Sequence, residues 1–182
     1  SGLAFTTQPV VTIRDAFGNT VTSSTAAVTM TVSGNGTTVG TTTVNAVNGV
    51  ATFTNVGISG TAGTPYTLTF GSTSLTSGTQ SITPTFGTAT QLAITTPASG
   101  AVNNLPFDVQ PVITIRDAFG NTVANSSAVL TISSNNGSTI VGSGSATAVN
   151  GVATFSGTGL KGLPLTPYTL TSVSYTHLRA HE

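Results

Sequence analysis

The chain has 182 residues, only 4% of them charged, and its formal net charge is zero, where an average soluble domain is about 25% charged. Without a Lys/Arg stripe it offers no face for nucleic acid or for an anionic membrane surface. It has no cysteine, so disulfides and thiolate metal sites are excluded. No apolar run approaches the roughly 20 residues of a transmembrane helix, so no membrane insertion is expected of this stretch. Hydrophobic residues make up 37% of the chain and alternate with Thr and Ser. Such a pattern buries one face of a sheet while hydroxyls wet the other, and β-branched Thr suits strands.

In chain order, the first strand expected is Val10–Asp15, within PVVTIRDAFGNTV (Pro9–Val21). Period two puts Val11 and Ile13 on one face, toward a core, and Val10, Thr12 and Arg14 on the other. Asp15 opens the turn Asp-Ala-Phe-Gly-Asn. Its side chain is expected to accept from turn N–H groups, with Gly18 in the left-handed region. Val28, Met30 and Val32 form the next inward face. Asn48-Gly49 reads as a type I′ hairpin turn, whose two central residues need positive φ. Pairing across it would put Val44, Ala46, Ala51 and Phe53 on one face. Tyr66, Leu68 and Phe70 follow Pro65, which is tolerated at a strand start. No window carries helical periodicity.

The same series then returns. Pro111–Val123 repeats Pro9–Val21 with one change, Val11 to Ile113, at an offset of 111 − 9 = 102. Leu3, Phe5 and Gln8 match Leu105, Phe107 and Gln110; Ala46–Phe53 recurs unchanged as Ala148–Phe155. Gly57, Gly60, Pro65, Tyr66 and Leu68 match Gly159, Gly162, Pro167, Tyr168 and Leu170. A unit of this length fits an immunoglobulin-like sandwich of about 100 residues and exceeds solenoid or blade repeats. The expected fold is all-β: two tandem immunoglobulin-like Greek-key sandwiches, both truncated at the ends of what reads as a fragment. Unit one is assigned to 1–86 without its first strand, and unit two to 87–172 without its last strands. The joint falls near Thr85–Thr88.

From Val173 the repeat stops. VSYTHLRAHE (Val173–Glu182) resembles the in-frame translation of a sequencing adapter and is read as a non-native tail. It holds both histidines, His177 and His181, whose i, i+4 spacing would otherwise suggest half a metal site on a helix. No function is assigned to it.

Outside the tail, the ionisable side chains apart from Tyr are Arg14, Asp15, Asp108, Arg116, Asp117 and Lys161. A nucleophilic triad needs a general base, and no histidine is left. A glycosidase needs two carboxylates about one bond, and the GxxxxGK[ST] phosphate loop is absent. No catalytic, cofactor-binding or metal-binding residues are expected. Asp15 and Asp117 supply one carboxylate per turn where calcium wants 6–8 oxygens; Asp108 leaves a junction calcium as the one metal alternative. Phe17 and Phe119 are expected to cover the ends of their own sandwiches or pack on an adjacent unit, with a contact role as the alternative. Lys161 aligns with Ser59, so no repeated isopeptide cross-link is expected. The triplets beginning at Asn35, Asn125 and Asn136 arise by chance in so Thr/Ser-rich a chain.

A strand ending in D-x-x-G-N (Asp15, Gly18, Asn19; Asp117, Gly120, Asn121) and a later N-G-V-A-T-F arm (Asn48–Phe53; Asn150–Phe155) resemble bacterial immunoglobulin-like repeats of the invasin/intimin type. The likeness spans nearly all of Leu3–Ser172. It implies non-catalytic spacer repeats in a large bacterial surface adhesin or secreted protein, extracellular or on the cell surface. The partners it implies are neighbouring repeats in the same chain, with a host or surface protein or glycan bound by the parent protein. Two alternatives accompany it. One is a glycan- or protein-binding module acting through loop tips such as Ala16–Asn19 and Ser33–Val39. The other is an accessory domain of a secreted polysaccharide-degrading enzyme.

Overall fold

The structure is a computed structural model and describes residues 1–174. Among these every regular element is a β-strand, and every strand pairing is antiparallel. The chain divides into two compact units, Ser1–Phe86 and Gly87–Glu182.

Unit one contains β1 (Leu3–Ala4), β2 (Val10–Thr12), β3 (Ala27–Val32), β4 (Thr37–Val39), β5 (Thr43–Asn45), β6 (Val50–Thr52), β7 (Gly57–Ser59), β8 (Tyr66–Gly71) and β9 (Gly78–Ile82). They assemble as β5-β3-β8-β9, β2-β6 and β1-β7-β4. The inward residues follow the period-two reading. Ile13, Val28, Met30, Ala46, Ala51, Phe53, Tyr66, Leu68 and Phe70 are buried in one cluster, with Val11, Val32 and Val44 packed against it. At its centre the rings of Phe53 and Phe70 meet edge to face, 5.6 Å apart at 62°.

Asn48 and Gly49 take φ of 52° and 77°, as the turn requires, and Val47 and Val50 exchange backbone hydrogen bonds of 2.9 and 3.0 Å across them. The pairing beyond the turn departs from expectation. β5 pairs with β3 and β6 pairs with β2, so the two arms leave the turn into different sheets and no long hairpin forms. Both arms still face the same interior. Alternation along each strand is preserved whichever neighbour it pairs with, so Ala46, Ala51 and Phe53 are buried all the same.

Unit two contains β10 (Ala89–Thr96), β11 (Leu105–Pro106), β12 (Val112–Asp117), β13 (Val129–Ser134), β14 (Thr139–Val141), β15 (Ser145–Thr147), β16 (Val152–Thr154), β17 (Gly159–Lys161) and β18 (Leu170–Ser174). Its sheets are β15-β13-β18, β10-β12-β16 and β11-β17-β14. The registers repeat at the sequence offset: Thr31 opposite Thr69 becomes Ser133 opposite Thr171. Among the described residues the two units differ by one strand each. β9 flanks β8 only in unit one, and β10 flanks β12 only in unit two. Leu170 is half-buried where Leu68 is buried. Ser172 stands where Phe70 would, so Phe155 has no partner ring at that position.

The expected boundary at Val173 does not coincide with the end of the strand. Val173 and Ser174 continue β18 opposite Thr131 and Leu130. The remainder of the tail, Tyr175–Glu182 with His177 and His181, lies outside the described residues.

Candidate functional site

The residues that recur in both units build three small polar devices. The first is the Asp turn. Asp15 Oδ1 accepts from the N–H groups of Phe17 and Asn19, both at 2.9 Å, and Oδ2 accepts from Asn19 Nδ2 at 3.1 Å. Asp117 repeats this with Phe119 and Asn121. Gly18 and Gly120 take φ of 87° and 82°, which a β-carbon disfavours. The two carboxylates differ in surroundings: Asp15 is exposed, whereas Asp117 is buried and also accepts from Gly87 N–H at 2.8 Å. The Asn19 side chain, then the turn amides, hold the Asp15 carboxyl below its ordinary range. For Asp117 burial works against the charged form, but the donors from Gly87, Asn121 and Phe119 outweigh it and also leave it lowered.

The second device is an amide clamp whose role sequence reasoning missed. Gln8 Nε2 donates to the carbonyls of Phe5 (2.7 Å) and Val56 (3.0 Å), while its Oε1 accepts from Val56 N–H (2.8 Å). Gln110 does the same with Phe107 and Thr158. One side chain thus joins segments 48 residues apart. Its identity in both copies was the available signal. Thr158, in place of Val56, is fully buried, and its hydroxyl donates to the Ser143 carbonyl at 2.5 Å.

The third device pairs a glycine with a tyrosine. A β-carbon on Gly60 would lie 2.6 Å from the Tyr66 ring, and one on Gly162 equally close to Tyr168. The Tyr66 hydroxyl accepts from Thr61 N–H at 2.9 Å, and the Tyr168 hydroxyl from Leu163 N–H at 2.6 Å. All three devices tie backbone to backbone and present no group aimed at a ligand.

The candidate contact residues fare differently. Ala16–Asn19 is exposed throughout, and Phe17 stands 91% exposed. Its expected role as a cover for its own sandwich is not what the structure shows: the Asp15 bonds fold the turn so that the ring faces solvent. Phe119 is 49% exposed. Ser33–Val39 is only partly a loop, since Thr37–Val39 is β4, paired with β7. Ser33 Oγ accepts from Thr67 N–H at 2.9 Å. Asn35, Asn125 and Asn136 are exposed, as are Asp108 and Lys161. Among the described residues no three His, Cys, Asp or Glu come together to hold a metal, and no helix is long and apolar enough to cross a membrane.

No family model matches the chain, and no curated protein matches it. Among solved structures it is similar to the apo structure of Bacteroides uniformis beta-glucuronidase 3, with a TM-score of 0.33 and 13% identity over 83% of this chain and 21% of that one. It is also similar to Parabacteroides merdae beta-glucuronidase, with a TM-score of 0.31 and 11% identity over 82% of this chain and 21% of that one. The chain thus spans about a fifth of the length of these enzymes. Likeness at these scores carries no inference about activity.

Proposed function

We propose that the chain is a non-catalytic spacer: tandem immunoglobulin-like repeats, of the invasin/intimin type, from a large bacterial surface adhesin or secreted protein. The observation that supports this reading is that the three repeated polar devices are structural. The Asp turn, the Gln clamp and the Gly–Tyr pair each tie one part of a unit to another, and both copies keep them at the same offset. A unit that stabilises itself suits an array lengthened by duplication. Localisation outside the cell, neighbouring repeats as partners, and ligand binding delegated to other parts of the parent protein belong to the same proposal.

The test is direct binding by the two-unit chain. On glycan arrays and immobilised surface proteins the spacer reading expects no saturable signal. Saturable binding abolished by Phe17→Ala would overturn it. The result would then favour a binding module acting through the Ala16–Asn19 tip, a second reading supported by the exposed Phe17 ring.

A further inference from the structure

Asn is followed by Gly at four places in the chain: Asn35, Asn48, Asn136 and Asn150. The pair carries chemistry of its own. The backbone nitrogen after an Asn can attack the side-chain carbonyl carbon, and glycine, with no β-carbon, opposes that approach least. The reaction asks two things of a fold: a glycine N–H that is not already engaged, and a peptide able to turn out of its folded geometry. The four pairs differ in both.

Asn48 and Asn150 occupy matching turns, and the glycine after each is buried. Gly49 N–H donates to the Ser24 carbonyl at 3.1 Å, and Gly151 N–H to the Ser126 carbonyl at 3.0 Å. A β-carbon on Gly49 would run into the Val21 carbonyl oxygen, and one on Gly151 into that of Val123. The preceding loops therefore lie directly against these turns. Val47 and Val50 close the first with two backbone bonds, as Val149 and Val152 close the second.

The other two pairs lie in equivalent loops, β3 to β4 and β13 to β14, one position apart. Ser33 and Asn135 correspond at the offset of 102, and their side-chain oxygens accept from Thr67 N–H and Thr169 N–H. In unit one Gly36 N–H is the closing bond of the turn, reaching the Ser33 carbonyl at 3.4 Å. Gly36 is half-buried, and a β-carbon there would come within 2.9 Å of the Tyr66 ring. In unit two the closing bond comes instead from Ser138 N–H to the Asn135 carbonyl, at 3.2 Å. Asn136 and Gly137 are the inner residues, with φ of 54° and 73°. Both are exposed, and nothing lies within 4 Å of a β-carbon built on Gly137. Among the described residues the Gly137 N–H has no acceptor. Asn136 Nδ2 reaches the Pro167 carbonyl at 3.5 Å, too long to hold the amide firmly.

We propose that Asn136 is a site of spontaneous modification, closing with Gly137 to a cyclic imide that water opens to aspartate or isoaspartate, while the fold protects Asn48 and Asn150. The Gly137 nitrogen gives its proton to solvent and bonds to Asn136 Cγ; the Cγ–Nδ2 bond breaks and ammonia leaves. Water then adds to one of the two imide carbonyls. The product carries one new carboxylate, in a chain whose formal net charge is zero. At Asn48 and Asn150 the two turn bonds and the glycine bond must open before the ring can form. Even one bond of ordinary net strength lowers the opened population by up to about tenfold.

The test incubates the full chain at mildly alkaline pH and follows each Asn-Gly pair by peptide mass mapping, with isoaspartyl methyltransferase labelling of the products. A parallel sample is held unfolded in guanidinium chloride. In the folded chain Asn136 should convert at least about tenfold faster than Asn48 and Asn150; unfolded, the four should convert at similar rates. A lead for Asn136 that the denaturant removes supports the proposal. Equal or faster conversion at any other pair in the folded chain overturns it. So does a lead that survives unfolding, which would assign it to neighbouring sequence. Asn136→Gln should abolish the earliest acidic form resolved by ion exchange, and persistence of that form also overturns the proposal.

Discussion

The carboxylate of Asp117 accepts a hydrogen bond of 2.8 Å from the backbone N–H of Gly87, 30 positions earlier in the chain. Among the described residues Asp15, at the same place in unit one, accepts from its own turn alone. The same five-residue turn is therefore a local device in one unit and a long-range clasp in the other. Asp117→Ala should destabilise unit two by about 2 kcal/mol, because a charge-assisted bond is lost and the half-buried Gly87 N–H is left without it. Asp15→Ala should cost unit one distinctly less. Urea unfolding of the two variants checks the asymmetry.

Both carboxyls are lowered in the folded chain, and the sign of the pH response follows. A group with a depressed folded pKa stabilises above its unfolded value, about 3.9 for Asp, and loses that contribution as pH falls through the folded value. The urea midpoint should hold level down to about pH 4 and then fall. With Asp117→Asn the fall in unit two should be shallower. An equal slope in the variant would place the acid sensitivity elsewhere.

The clamp residue offers an isosteric test. Glu in place of Gln110 keeps the shape but cannot donate to the carbonyls of Phe107 and Thr158, which Gln110 Nε2 now reaches. Gln110→Glu should cost about 2 kcal/mol near neutral pH and less in acid, where a protonated carboxyl regains one donor. Thermal unfolding at two pH values separates these outcomes.

Phe70 and Ser172 occupy equivalent positions, and Phe70 is buried against Phe53. Phe70→Ser should cost unit one about 3 kcal/mol, from the lost apolar burial, the cavity left behind and the broken edge-to-face pair. Calorimetry should then show the unit-one transition moving down while the unit-two transition stays in place.

Much of this was legible before any coordinates. Val28, Met30, Ala46, Phe53, Tyr66 and Leu68 could be placed inside because the side-chain period of a strand is two whatever its neighbour. Asn48-Gly49 could be placed in a turn because few other pairs accept two positive φ values. The neighbours themselves were not legible. β5 and β6 join β3 and β2, and those choices depend on distant segments that alternation does not encode. Gln8 was visible only as a matched letter, since its three bonds reach segments that become adjacent after folding. The expectation that Phe17 covers its own sandwich fails for a related reason: an aromatic at a turn is covered by its own unit only if the turn points it inward, and Asp15 sets that direction.

The sheet change at Asn48-Gly49 also governs how a unit comes apart. The chain passes from β5 in one layer to β6 in the other through a link whose two central residues reach roughly 7 Å at full stretch. At that end the layers are bound like pages at a spine. β9 lies at the far edge of β5-β3-β8-β9, so unit one, if it opens as a book does, must part first along β9 and tear last beside Gly49.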